Sequence, residues 1–451
     1  MLLATLPPAD SPQYLGIFAG GRRIGYSVAT SAEVPYEGAT ARRSESKTRM
    51  KIALQATPLD LEVDSSTYTV NGSIRRIRFV QRSGGRTSGC EAIFGDRTVE
   101  IVMTSEGNRT TSTVAKPEGE IVDDPVNYFL EHPGAKEKTF WVLDPTAGAF
   151  VRNVARVKGP ARVSLGAVSA AATRIDVVDP RMTTTVYVSA KGDFLKATTP
   201  IGIDTMPLAE KDALAPLEEG APLDLATVTA LVPDKPIVDA PNLSRLRLKI
   251  TGIDLASMPS GGHQAAKSVR GGWIVEVKPP VARASAKVGA VGQTEFTRPT
   301  AYLPSDDPTM VAEAKRIVGG ETNLAAAAQK IRREVYRTMQ PNAGIGVLRD
   351  AREVFATKEG VCRDYAVLTT TLMRAAGIPA RLATGLVTWD GTFYYHAWTE
   401  VWDGANWIGM DSASPTDRIS AGHVKLSEGN VDRAFVFPVL GRAKIAVLAQ
   451  S

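Results

Sequence analysis

Lys358-Glu359-Gly360-Val361-Cys362-Arg363-Asp364-Tyr365 opens a helical pattern that runs to about Ala376. Gly377 stops that helix, and Pro379 prevents its continuation. Cys362 falls in the first turn, where unpaired N–H groups and the helix dipole stabilise a thiolate. After Ala380 the pattern changes to strand alternation over Arg381–Thr388, Phe393–Trp402 and Trp407–Asp411. The dipeptides between them, Asp390-Gly391 and Asp403-Gly404, are hairpin turn signals. A helix followed by a meander predicts an α+β domain.

Hairpin register then brings chemistry together. If Asp403-Gly404 is a two-residue turn, Trp402 faces Ala405 and His396 falls directly opposite Asp411. If the loop runs on through Asn406, His396 and Asp411 become diagonal neighbours, still within reach. A helix-terminal thiol, an imidazole and a carboxylate in reach of it have the residue types of nucleophile, general base and orienting group. The first hairpin places Gly385 opposite His396, a position without a side chain that would leave room for substrate.

The remaining candidates read differently. Cys90 sits in a strand-and-turn context and is expected to be a buried, inert thiol. His132 before a proline, His263 in the loop after Pro259-Ser260-Gly261-Gly262, and His423 after a glycine are expected on the surface. None of the histidines has zinc-ligand spacing, so neither metal nor cofactor is expected. Trp398, Trp402 and Trp407 read as core and cross-strand packing, with Trp398 alternatively forming an aromatic wall beside the acyl group. Arg363 and Asp364 either shape the Cys362 site or lie on a solvated first turn.

Working outward, Asp307-Pro308 starts a helix that Gly319-Gly320 ends, and Thr322 caps a second with Leu324, Ala328, Ile331, Val335 and Met339 on one face. Asp350 with Glu353 caps a short third helix. From Tyr14 to Thr199 the chain reads as β-rich, with hairpin punctuation at Gly20-Gly21, Asn71-Gly72, Gly84-Gly85 and Lys191-Gly192-Asp193. A short helix over Pro125–Glu131 interrupts it. The expected organisation is multidomain. An all-β region over 1–199, an antiparallel sheet or open barrel, precedes an irregular linker over 200–240. A small β module over 241–300 and the α+β domain over 301–451 follow.

Composition narrows the classes. The 451 residues are 43% hydrophobic and 22% charged, enough apolar material for sizeable cores. A net charge of +5 over this length is a weak field. The densest basic stretches, Arg75-Arg76-Ile77-Arg78 and Arg245-Leu246-Arg247-Leu248-Lys249, alternate with apolar residues as solvated strand faces do. Nucleic acid is therefore not an expected partner. Two cysteines exclude a disulfide scaffold and a four-cysteine zinc site. No run is long and apolar enough to span a membrane as a helix. Met1-Leu2-Leu3-Ala4-Thr5-Leu6-Pro7-Pro8 resembles the tail end of a signal peptide. The expected location is the periplasm or the extracellular space, with the cytoplasm as alternative.

Four blocks now stand in order: Gly360-Val361-Cys362-Arg363-Asp364-Tyr365-Ala366, Arg374-Ala375-Ala376-Gly377-Ile378-Pro379-Ala380-Arg381, His396-Ala397-Trp398-Thr399-Glu400-Val401-Trp402 and Trp407-Ile408-Gly409-Met410-Asp411. Together they resemble the transglutaminase-like superfamily over about Asp307 to Asp411. The resemblance implies a papain-like fold with Cys362 as nucleophile, His396 as general base and Asp411 as orienting carboxylate. It also implies thioester chemistry on a peptide or protein substrate. Gln340 is, by looser analogy, a second oxyanion donor beside the Cys362 N–H. The superfamily spans peptidases, transglutaminases, peptide N-glycanases and inactive relatives. Hydrolysis is the expectation here, since water is the default acceptor. Protein-glutamine crosslinking, a scaffold with a vestigial triad and a ligand-carrying β region are the alternatives.

Overall fold

The computed structural model describes residues 11–122, 128–129, 132, 134–217, 220, 222–252, 258–282, 286–289, 292–435 and 443–451. The chain divides into two compact units. One holds the chain to Val228 with the short segment Gly344–Val347, the other Thr229–Ala343 and Leu348–Ser451. Most of the expected Pro125–Glu131 helix lies outside the described residues.

The first unit is an antiparallel sheet of long strands. They are β1 (Gln13–Ala19), β2 (Arg22–Tyr36), β3 (Ala39–Leu54), β4 (Thr57–Val70), β5 (Ser73–Ser83), β6 (Arg86–Phe94), β7 (Thr98–Ser105) and β8 (Asn108–Ala115). The chain continues through β9 (Glu137–Asp144), β10 (Ala149–Leu165), β11 (Val168–Val178), β12 (Thr183–Val188), β13 (Phe194–Thr198) and β14 (Ile203–Pro207). In space the order runs from β8 back to β1, crosses to β14 and runs back to β9. Two meanders are thus joined through the β1–β14 pair, and the strand path ends at β8 and β9. The short β15 (Leu223–Asp224) lies parallel beside β3. The stretch 200–240, expected as a linker, therefore contributes β14 and β15.

Alternation buries one set of side chains in two clusters. Ile17, Ile24, Met50, Ile52, Leu59 and Ile203 form one, and Phe140, Ile175, Val177, Val186 and Val188 lie in the other. The basic run near Arg76 is neutralised across the ladder, where Arg76 and Glu91 pair. Arg49 and Arg82 likewise share Asp64, at 2.9 and 2.8 Å.

The second unit combines two small sheets with helices. β16 (Leu246–Thr251), β17 (Gln264–Val269) and β18 (Gly272–Val277) are joined by the C-terminal strand of the chain. Helices α1 (Pro308–Val318), α2 (Leu324–Thr338), α3 (Ala351–Thr357) and α4 (Cys362–Ala375) follow. Asp307 and Asp350 cap α1 and α3 through their carboxylates as expected. Asn323, rather than Thr322, caps α2. Two-residue strands β19 (Gln340–Pro341) and β20 (Glu359–Gly360) pair in parallel just before α4. The second sheet then forms from β21 (Ala380–Trp389), β22 (Thr392–Trp402), β23 (Trp407–Met410) and β24 (His423–Gly429), in the order β23-β22-β21-β24. β25 (Lys444–Gln450) is the strand that returns to β16. Leu246, Leu248, Ile250, Val275 and Ile445 pack with Leu386, Phe393, Val424 and Leu426 in one core. The overall class, a large antiparallel sheet followed by a mixed α/β domain, is the one the sequence predicts.

Candidate functional site

Cys362 is the first residue of α4, and the loop before it is fixed by buried charge. The N-cap Val361 has no polar side chain. Asp364 compensates: its Oδ2 accepts the Val361 N–H at 2.9 Å. Its Oδ1 lies 3.2 Å from Nε of Arg349, whose Nη2 donates to the Glu359 carbonyl at 2.5 Å. Asp364 is thus a buried partner of the loop, the first of the two readings open to it.

The first hairpin has the expected register. Asp390 and Gly391 both adopt positive φ, 45° and 72°, and Gly385 faces His396. The purpose expected for Gly385 is corrected. The backbone of β24 fills the space beside it, and a Cβ there would collide with the Val424 carbonyl oxygen.

The second hairpin corrects the two-residue turn. Trp402 pairs with Trp407 and Thr399 with Met410. The loop is Asp403-Gly404-Ala405-Asn406, because the Asp403 carboxylate accepts the Ala405 and Asn406 N–H at 2.9 and 2.8 Å. The diagonal arrangement follows. Asp411 Oδ2 accepts the His396 Nε2–H at 2.9 Å. Arg332 of α2 anchors the segment after β23, reaching the carbonyls of Asp411 at 3.3 Å and Ser414 at 2.8 Å.

With Nε2 on Asp411, Nδ1 of His396 is left for Cys362. Cys362 is partly exposed. Burial pushes its thiol up, but the charge of His396, a hydrogen bond to that ring and the Ala397 N–H outweigh burial and hold the pKa below the ordinary value. For His396, burial disfavours the proton, while Asp411 and Cys362 together hold its pKa well above the ordinary value. Asp411 is held well below the carboxylate range: burial opposes this, and His396 and His423 overcome it. Cys90, buried in β6, is the contrast: burial pushes its pKa up to about 12.

The other sequence candidates divide. Trp398 is 1% exposed, and its ring lies against those of His263, His396 and His423, so it packs the interior. Gln340 is exposed on β19, paired with Glu359 three residues before Cys362. His132 is exposed as expected. His263 and His423 are both buried, contrary to expectation. His263 bridges Glu400 Oε1 at 3.1 Å and the His423 carbonyl at 3.2 Å. His423 Nε2 approaches Asp411 Oδ2 at 3.4 Å. Only their flanking glycines and loop context were visible in sequence. Their burial depends on β17 and β24 meeting over 160 residues of chain, which no local pattern reports.

His396, Asp411 and His423 place one donor atom each within 4.8 Å of one another, the grouping with metal-ligand atom types found among the described residues. A metal there would compete for the lone pairs that the His396–Asp411 hydrogen bond uses.

Residues 312–412 match the family model of the transglutaminase-like superfamily and form a transglutaminase-like domain. Among solved structures, the chain is similar to a candidate cysteine protease from Cytophaga hutchinsonii, at 20% identity and a TM-score of 0.32, over 47% of this chain and 84% of that one. A candidate protease from Parabacteroides distasonis is 10% identical with a TM-score of 0.23, over 66% and 70% of the two chains. No curated protein matches. The family match supports a cysteine-dependent hydrolase or transferase in general.

Proposed function

We propose that the protein hydrolyses amide bonds of peptides or proteins through a thioester on Cys362. The observation that carries this reading is the placement of His396, with Nε2 on Asp411 at 2.9 Å and the ring hydrogen-bonded to the Cys362 thiol. The Cys362 thiolate attacks the amide carbonyl, and His396 gives its Nδ1 proton to the leaving amine. Water then attacks the thioester, with His396 taking the proton back. Asp411 holds the imidazole in the tautomer that faces the thiol. The Cys362 N–H at the start of α4 and Gln340 serve as oxyanion donors. Partial exposure of Cys362 gives water access, which favours hydrolysis over transfer to an amine.

The test compares iodoacetamide labelling of Cys362, read by mass spectrometry, with cleavage of a peptide library. Rapid labelling near neutral pH and cleavage lost in Cys362→Ala are expected. Labelling no faster than that of Cys90 in the denatured chain overturns the reading. Incorporation of a primary amine into glutamine peptides, without cleavage, replaces hydrolysis with transfer.

A further inference from the structure

β24 begins at His423, which the proposed reaction leaves without a task. Its side chain is buried, and its Nε2 lies 3.4 Å from Asp411 Oδ2, the oxygen that also accepts the His396 Nε2–H. Its Nδ1 has no hydrogen-bond partner among the described residues. A carboxylate oxygen only accepts, so the ring proton of His423 belongs on Nε2. Asp411 is then held from both sides: Oδ1 accepts the Ala413 N–H at 2.9 Å, and Oδ2 accepts from two imidazoles.

We propose that His423 is a positioning residue of the thiol site, a second imidazole donor that fixes the Asp411 carboxylate so that His396 keeps its Nδ1 on Cys362. This rests on the function proposed above and deepens it. The ring is itself held in place. The His263 Nε2 contacts its carbonyl, and the Gln264 side chain clamps the next residue but one, accepting from Lys425 N and donating to Lys425 O at 2.8 Å each. The Trp398 ring meets the His423 ring edge-on at 5.4 Å between centroids.

The titratable groups facing His423 among the described residues are Asp411, His396 and His263. Burial, with the charge of the neighbouring histidines, outweighs Asp411 and holds His423 below its ordinary pKa. His396, on the same carboxylate, is held well above. The two rings share one acceptor, and the extra proton goes to the one that faces the thiol. A neutral donor at position 423 fixes Asp411 without competing for that proton.

The experiment follows Cys362 alkylation by iodoacetamide against pH on the full chain, for wild type, His423→Leu and His423→Gln. Glutamine sets an amide N–H near the position of the imidazole Nε2. His423→Leu is expected to move the thiolate limb up by about one pH unit and slow labelling near pH 6 about tenfold. His423→Gln is expected to recover most of that loss. An unmoved midpoint in folded His423→Leu overturns the proposal, whether or not its melting temperature falls, because packing alone lowers stability without moving a midpoint. If His423→Leu does not fold, His423→Asn, too short to reach Oδ2, takes its place under the same criteria. Failure of the underlying reading is separate: wild-type Cys362 would then label no faster than Cys90 in the denatured chain.

Discussion

Lys425 Nζ lies 2.8 and 3.0 Å from the two carboxylate oxygens of Glu400, and both side chains are shut away from water. Arg381 Nε adds a hydrogen bond to the same carboxylate at 2.9 Å, and His263 a fourth contact at 3.1 Å. A buried pair of this kind gains its attraction only by offsetting the loss of hydration of both ions. Removing Glu400 leaves the buried Lys425 and Arg381 to share one part-exposed carboxylate, Glu428, at 2.5 and 2.6 Å.

Glu400→Ala is therefore expected to cost about 3–5 kcal/mol, read by urea denaturation. The double variant Glu400→Leu/Lys425→Met is expected to recover most of it, since two cations no longer share one carboxylate and Arg381 keeps Glu428. The pH dependence has a definite sign. Burial raises the Glu400 pKa, but Lys425, His263 and Arg381 outweigh it and hold it well below the ordinary value. Its contribution is complete above the unfolded pKa and disappears as pH falls through the folded one. Wild type should lose stability in acid more steeply than the double variant.

Gly385→Ala tests the close approach of β21 and β24. The added methyl meets the Val424 carbonyl, which is backbone and cannot rotate away. Displacement of β24 is expected to cost about 1–3 kcal/mol in thermal unfolding. Because His423 and Lys425 ride on that strand, Cys362 labelling should slow as well. Unchanged melting and labelling would mean that β24 does not pack there.

These relationships were unequally visible in the sequence. The Cys362 helix was legible because Gly377 and Pro379 bound it, and the β21–β22 register because Asp390-Gly391 permits one turn. The Asp403-Gly404 dipeptide carries the same signal, yet its loop is longer. The deciding factor, the Asp403 carboxylate taking the Ala405 and Asn406 N–H, is a side-chain choice that period-two patterns do not encode. His263 and His423 looked like surface residues because polar residues in loops and short strands usually are. Their burial comes from β25 and β16–β18 closing over the second sheet, a long-range event. The large sheet of the first unit was readable as a class from its turns. Its crossing from β1 to β14 was not, since that pair is separated by most of the unit.

Arg332 offers a test of how Asp411 is carried. Its guanidinium is 2% exposed and binds the Asp411 and Ser414 carbonyls and, at 2.8 Å, Asp417 Oδ1. Arg332→Met keeps the apolar stem and removes the donors, leaving buried carbonyls without them. A loss of about 2–3 kcal/mol is expected. Since the segment holding Asp411 loosens, kcat for peptide cleavage should fall about tenfold, with KM little changed. A stability loss with intact kcat would show that Asp411 is positioned without Arg332.

In the proposed reaction the thiol–imidazole pair sets the pH window. The Cys362 pKa lies below the ordinary thiol value, so the thiolate persists to lower pH than a free cysteine would allow. His396 lies well above the ordinary imidazole value, so its proton persists to higher pH. The proposed mechanism requires the thiolate and the imidazolium together, so kcat/KM should trace a bell between the two limits. Asp411→Asn removes the charge that opposes the burial of protonated His396. The alkaline limb should then move down toward the ordinary histidine value, narrowing the bell from above. The acid limb should move up, because a less charged His396 stabilises the thiolate less. Cleavage at the wild-type optimum should fall by about four orders of magnitude if the amide also reverses the tautomer. Limbs that stay in place in Asp411→Asn would remove Asp411 from any role in charging His396.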